Sequence, residues 1–189
     1  MKILIGTGCR THTSRVMFGM EENVTVVATG LGFPEGPVVM DDGSIVLVEI
    51  SGPRLSRVTA KGEKETIAEW EDAGSSGPNG AAVGPDGCIY VCNNGGFIWT
   101  EHKGMRFPLE RSTGANQAPN YVSGSIDRVD LGTGEITQIY HEFEGDHLCG
   151  PNDIVFDETG GFWFTDLGKQ RPSYRNHDVC VEQSCLLYD

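Results

Sequence analysis

A chain of 189 residues with 26 glycines and a formal net charge of −13 has room for one domain of short strands and frequent turns. The acidic balance excludes a nucleic-acid partner, which needs a basic surface, and no run approaches the roughly 18 apolar residues of a membrane-spanning helix. The six cysteines, at 9, 88, 92, 149, 180 and 185, show no paired zinc-site spacing. Cys88 and Cys92 would share one strand face and read as buried small hydrophobes. With too short an apolar run at the N-terminus for a secretory signal, this cysteine usage points to a cytoplasmic protein.

Residues 1–20 carry Cys9, Arg10, His12, Ser14 and Arg15 without periodicity and form a poorly specified lead-in. Residues 21–168 have a strand pattern. Val24, Val26 and Ala28 alternate in a strand over 22–28, and a Gly- and Pro-rich turn follows at 30–34. Strands at 38–40 and 45–50 form a hairpin around Asp41-Asp42-Gly43, with further strands at 54–59 and 65–70. A second hairpin joins 81–83 to 88–92 through Pro85-Asp86-Gly87. An insertion rich in Gly, Asn and Pro, over 93–122, then breaks the pattern and carries Phe97, Trp99 and Phe107. Long loops on a repeat scaffold either bind or merely elaborate it. Strands resume at 125–130 and 135–140, and a third hairpin joins 154–156 to 162–165, ending on Asp166. Residues 169–189 show no such pattern and read as an atypical tail.

The three hairpins are one repeat. Glu35, Asn79 and Asn152 superpose; eight residues on stand Gly43, Gly87 and Gly160, where the turn needs a residue without a side chain. Ten and twelve residues on come Ile45 and Leu47, Ile89 and Val91, or Phe162 and Phe164, alternating on one strand face. Fourteen residues on stand polar Glu49, Asn93 and Asp166. Four antiparallel strands per repeat of about 40 residues is the pattern of a β-propeller blade. The chain is therefore predicted to be all-β, with about two and a half to three blades of a fold that closes with roughly four to eight. That predicts either a portion of a propeller or a different assembly, whose open sheet faces and edges favour marginal stability and aggregation.

In a propeller the start of each inner strand faces the central channel, so Glu35, Asn79 and Asn152 should converge there. A carboxylate and two amide carbonyls are hard oxygen donors, suited to Ca²⁺ or Mg²⁺ more than to a soft metal. No histidine holds this position, which argues against a histidine-built zinc site. Asn before a strand also satisfies turn backbones, so both roles stand for Asn79 and Asn152. Glu35, between Pro34 and Gly36, gains nothing as a turn former.

Three segments resemble the senescence-marker-protein (SMP-30)/gluconolactonase family of six-bladed propellers: Glu35-Gly36-Pro37; Asn79-Gly80 leading to Pro85-Asp86-Gly87-Cys88-Ile89-Tyr90-Val91; and Gly150-Pro151-Asn152-Asp153-Ile154-Val155-Phe156 with Phe164-Thr165-Asp166. The third is the most specific, and the likeness covers roughly 24–168. The resemblance implies a divalent cation in the channel, Ca²⁺ first and Mg²⁺ or Zn²⁺ as alternatives, with Glu35 and Asn152 as ligands. It implies metal-dependent hydrolysis of a sugar lactone to its aldonic acid, with Asn79 and Asn152 toward the substrate; His147, the histidine nearest the third motif, is expected to line the substrate entrance. The family's later Asn and its late-blade Asp, the usual general base, have no counterpart in this sequence. Asp166 is a weak substitute, and Asp153 is expected to cap local backbone groups. The alternatives are a non-catalytic propeller binding module and a hydrolase of another lactone or ester.

Overall fold

The computed structural model describes residues 2–3, 25–71, 75–170 and 185–188. Most of the lead-in and of the tail lies outside the described residues. Among the described residues the structure is all β. Strands β1 (Lys2–Ile3) and β2 (Thr25–Val26) form a short parallel pair. β3 (Pro34–Val39), β4 (Ile45–Glu49), β5 (Arg54–Val58) and β6 (Lys64–Glu69) follow one another as an antiparallel meander. β7 (Pro78–Val83) and β8 (Ile89–Asn93) open the second sheet. The hairpin β9 (Thr100–His102) and β10 (Met105–Phe107) intervenes before β11 (Ser125–Val129) and β12 (Ile136–Tyr140) complete that sheet in the order β12-β11-β8-β7. A small hairpin, β13 (Glu142–Phe143) and β14 (Asp146–His147), leads to β15 (Pro151–Phe156) and β16 (Phe162–Asp166). β17 (Cys185–Tyr188) pairs antiparallel with β16, so the third sheet continues beyond the residues that carry the repeat pattern.

The sheets pack face to face, which explains the near-continuous apolar runs of the second strands. Val46 and Val48 on β4 meet Leu55, Ile89, Val91 and Val129 in a core between the first and second sheets. Leu47, pointing the other way, packs with Ala28, Leu31 and Val58. Between the second and third sheets lie Cys92, Ile126, Leu148, Ile154, Phe162 and Phe164. Tyr90 meets Phe156 edge-on at 4.9 Å across the same seam. Each fully buried aliphatic side chain contributes roughly 2 kcal/mol. This stacking is the partial, propeller-like arrangement expected from the repeat. Cys88 and Cys92 are free and buried, as their spacing suggested. Cys149 is disulfide-bonded.

The inner strands begin earlier than the alternation predicts. β3, β7 and β15 start at Pro34, Pro78 and Pro151, paired with Glu49, Asn93 and Asp166 respectively. In each hairpin the register then shifts, between Glu35 and Val38, Pro78 and Ala81, and Pro151 and Ile154. A bulge adds residues on one strand and breaks the two-residue period, so the polar segments looked like turns in the sequence but lie inside strands.

The polar position closing each second strand is structural. Glu49, buried, accepts the Gly32 N–H, Ser56 Oγ at 2.7 Å and Lys64 Nζ at 3.1 Å. Asn93 Oδ1 accepts the N–H groups of Gly77 and Gly95 at 2.8 and 3.1 Å, while its Nδ2 donates to Asp127 at 3.0 Å. Asp166 accepts the N–H groups of Cys149 and Gly150 at 2.7 and 2.6 Å. Each ties down the loop that leads into its own inner strand.

The insertion over 93–122 packs Trp99 against Phe33, ring centroids 5.4 Å apart, just ahead of β3. At its other side Lys169 Nζ donates to Asn94 Oδ1 and Gly96 O, both at 2.8 Å, and lies 4.0 Å from the Phe97 ring centroid. The loop thus runs from the start of the first sheet to the segment after β16.

Candidate metal centre

The three bulges bring their residues together because β3 and β15 both lie against β7. Two glycines allow that approach. A Cβ on Gly36 would sit 2.6 Å from the Ala81 nitrogen and 2.8 Å from the Asn79 oxygen, and its φ of 52° is itself unfavourable for other residues. A Cβ on Gly80 would sit 2.5 Å from both the Asn152 carbonyl oxygen and the Asp153 Cα. These neighbours are backbone and have little room to yield. The result is a cavity of about 280 Å³ lined by Glu35, Gly36, Pro37, Asn79, Gly80, Ala81, Asn152 and Asp153.

The chemistry of this cavity is hard oxygen and negative charge. Asn79 Nδ2 donates to Asn152 Oδ1 at 2.7 Å, linking the second and third sheets. Desolvation by the surrounding strands, and then the charge on Asp153, raise the proton affinity of Glu35; a hydrogen bond from Gly36 only partly offsets them. No lysine or arginine is among the lining residues. Two carboxylates and two amides without an internal counter-cation fit a Ca²⁺- or Mg²⁺-type ion, and the absence of thiol and imidazole disfavours a softer one.

Glu35, Asn79 and Asn152 therefore share one cavity. Asp153 joins them. As expected, its carboxylate caps locally, accepting the Ile154 N–H at 2.9 Å, yet it also lines the cavity beside Glu35. The sequence signal for it was its place next to Asn152, in a segment that does not alternate. Asp166 does not line this cavity; both carboxylate oxygens are engaged by backbone N–H groups.

His147 lies elsewhere. It is exposed on β14 and lines a separate cavity of about 580 Å³ with His141, Trp70, Asn93, Asp127 and Gln138 among others. The His141 and His147 ring centroids are 6.0 Å apart. His141 Nε2 is 3.9 Å from Glu142 Oε2. These three side chains bring metal-ligand atoms within 4.8 Å of one another. No residue of this group occupies the repeat position, so repeat alignment alone could not find it. The available signal was local: His-Glu and then His147, across a turn carrying Gly145.

The family model described as the SMP-30/gluconolactonase/LRE-like region matches residues 33–184, past the end of the motifs and into the tail. The chain is 24% identical over 156 residues to the gluconolactonase of Zymomonas mobilis subsp. mobilis, covering 76% of this chain and 35% of that protein. It superposes on a gluconolactonase from Xanthomonas campestris with a TM-score of 0.54 and 18% identity, over 84% of this chain and 44% of the other. A structural-genomics structure assigned to the gluconolactonases gives 0.54 and 18%, over 86% and 47%. The chain spans less than half the length of each of these proteins. At such identities the structural likenesses show a shared fold.

Proposed function

This chain belongs to the SMP-30/gluconolactonase/LRE-like family, and from that premise we propose that it supplies the cation-binding part of a six-bladed, metal-dependent sugar-lactone hydrolase. The observation that carries the proposal is the convergence of Glu35, Asn79, Asn152 and Asp153 on one cavity that no basic side chain lines. Glu35 and Asn152 are the ligands, Ca²⁺ is the favoured ion, and Asp153 adds the negative charge that attracts it. When bound, the cation supplies polarisation of a lactone carbonyl and stabilisation of the developing oxyanion.

The protein residues supply the positioning. Asn79 holds the Asn152 amide through their 2.7 Å hydrogen bond, and an amide oxygen keeps a second lone pair for a ligand. Asp166 holds the loop before β15 through Cys149 and Gly150, which fixes Asn152 two residues on. The family's late-blade Asp, the expected general base, has no counterpart among these residues. The role of this chain is therefore to bind the ion and orient the lactone, and turnover requires a carboxylate supplied by further blades.

The test is Ca²⁺ calorimetry together with acid release from glucono-1,5-lactone in Ca²⁺, Mg²⁺, Zn²⁺ or EDTA. It is run on this chain and on a form extended with the remaining blades of a relative. Ca²⁺ binding by both, weakened about tenfold or more by Glu35→Gln, with EDTA-sensitive turnover in the extended form, is the expected result. Unchanged affinity in Glu35→Gln removes Glu35 as a ligand. Binding without turnover in either form favours a binding module or another lactone or ester substrate.

A further inference from the structure

A second cluster of ligand-type side chains lies outside the Glu35 cavity, on the hairpin between the second and third sheets. β13 and β14 pair through Glu142↔His147 and Phe143↔Asp146. The turn between them is tight, with Glu144 at φ 53° and Gly145 at φ 92°. The Leu148 N–H donates to the His141 carbonyl at 2.9 Å and carries the pairing to the hairpin mouth. Glu142 and His147 are cross-strand partners, so their side chains leave the ladder on one side. His141, at the mouth, lays its ring beside that of His147, interplanar angle 32°.

Among the described residues, this is the group of His, Cys, Asp or Glu whose ligand atoms come within 4.8 Å of one another. Around a tetrahedral zinc ion, with metal–ligand bonds of about 2.0–2.1 Å, ligand atoms stand about 3.4 Å apart. The gap to be closed is therefore about 1.5 Å or less, within reach of side-chain torsions on a surface hairpin. Exposed carboxylates alone would carry no argument, but here two imidazoles face each other and an anionic oxygen. That donor set differs in kind from the all-oxygen Glu35 site. It suits borderline transition metals and not Ca²⁺.

We propose that His141, Glu142 and His147 form a zinc-class divalent transition-metal site, separate from the Glu35 centre, with its fourth coordination position open to the neighbouring cavity. Three protein ligands and one open position is the pattern of a zinc site that accepts water or an exogenous donor. The donor fits the cavity of about 580 Å³ that both histidines line. Trp70 and Gln138 on its wall offer an aromatic surface and an amide, so a small polar ligand with one metal-binding atom is the class it would take.

The experiment titrates the purified chain with Co²⁺, read by the visible d–d bands of four-coordinate cobalt, and displaces it with Zn²⁺. The variants are His141→Ala, His147→Ala and Glu142→Gln, with circular dichroism as a check on folding. We expect a Co²⁺ spectrum that Zn²⁺ abolishes and excess Ca²⁺ leaves intact. Each histidine variant should weaken binding by about tenfold or more, and Glu142→Gln should do so without disturbing the fold. Glu35→Gln should leave the spectrum unchanged. No four-coordinate spectrum, displacement by Ca²⁺, or undiminished binding in folded Glu142→Gln and both histidine variants would overturn the proposal. The readout is independent of lactone hydrolysis, so failure of the enzymatic reading leaves it standing, and the reverse also holds.

Discussion

Glu35 and Glu49 lie on partner strands of one hairpin, a row apart, and their surroundings differ in kind. Glu49 is buried and accepts hydrogen bonds from Gly32, Ser56 and Lys64. Glu35 is exposed, faces a second carboxylate and has no cation beside it in its cavity. The repeat reproduces the contrast. Asn93 and Asp166 are saturated by backbone N–H groups, whereas Asn79 and Asn152 spend one donor and one acceptor on each other. A repeat-aligned polar residue is thus no evidence of function by itself. What separates the rows is whether the fold has already satisfied the side chain.

The largest expected effect lies in the saturated row. Asp166→Ala strips the acceptor from three backbone donors, those of Cys149, Gly150 and Gly168, at least one of them buried. Such a loss costs about 3 kcal/mol, read as a lower urea midpoint. Glu35→Ala, in the open row, should leave stability unchanged or raise it. If Asp166→Ala proves neutral, the saturated row is not structural and the contrast fails.

Next comes the spacing that creates the open row. Gly80→Ala would press a methyl group into the backbone of Asn152 and Asp153. Overpacking of this kind costs about 1–3 kcal/mol. It should also push β15 away from β7 and abolish the Ca²⁺-induced rise in melting temperature. In the parent, Ca²⁺ at 100 times its Kd should add about 2.7 kcal/mol. A Gly80→Ala variant that still gains this stabilisation would show that the ion site does not depend on the close approach of β15 to β7.

The sequence made the repeat legible because three glycine turns and three apolar pairs recur at fixed spacing, and the cores between sheets follow from them. It also placed Glu35, Asn79 and Asn152 at one position. Strand starts were not legible, since bulges at 35–38, 78–81 and 151–154 interrupt alternation where the site lies. Asp153 was seen only as a capping residue because its proximity to Glu35 depends on the packing of β15 against β7, a contact that no local pattern encodes. β17 was missed because Cys185–Tyr188 gains its partner from β16 across a long connection. His147 was associated with the lactone by its closeness to Gly150-Pro151-Asn152 in sequence, yet the β13–β14 hairpin carries it to a different cavity.

The smallest effect gives the sharpest comparison, because the two glutamates should answer pH with opposite signs. Burial pushes the Glu49 carboxyl upward, but hydrogen bonds from Gly32, Ser56 and Lys64 outweigh it and leave the net shift below the ordinary 4.5. Its stabilisation is therefore fully present above 4.5 and is lost as pH falls through the lower folded value. Glu35 is raised above 4.5, by desolvation first and by Asp153 second. The folded state then holds its proton more tightly, so a penalty is absent in acid and grows as pH rises from 4.5 through the raised value. Lys169, held down to about 7 by burial, titrates above this window and does not confuse it. The measurement is the stability difference from Glu49→Gln and from Glu35→Gln across the acid range. The deficit of Glu49→Gln should shrink on acidification, whereas the advantage of Glu35→Gln should vanish there and emerge toward neutrality, by less than about 1 kcal/mol given solvent screening. Saturating Ca²⁺ should reverse the second sign and spare the first, since a bound cation turns the repulsion at Glu35 into attraction while Glu49 already has its partners. Parallel pH responses, or a Ca²⁺ effect of equal size at both positions, would erase the distinction between the rows.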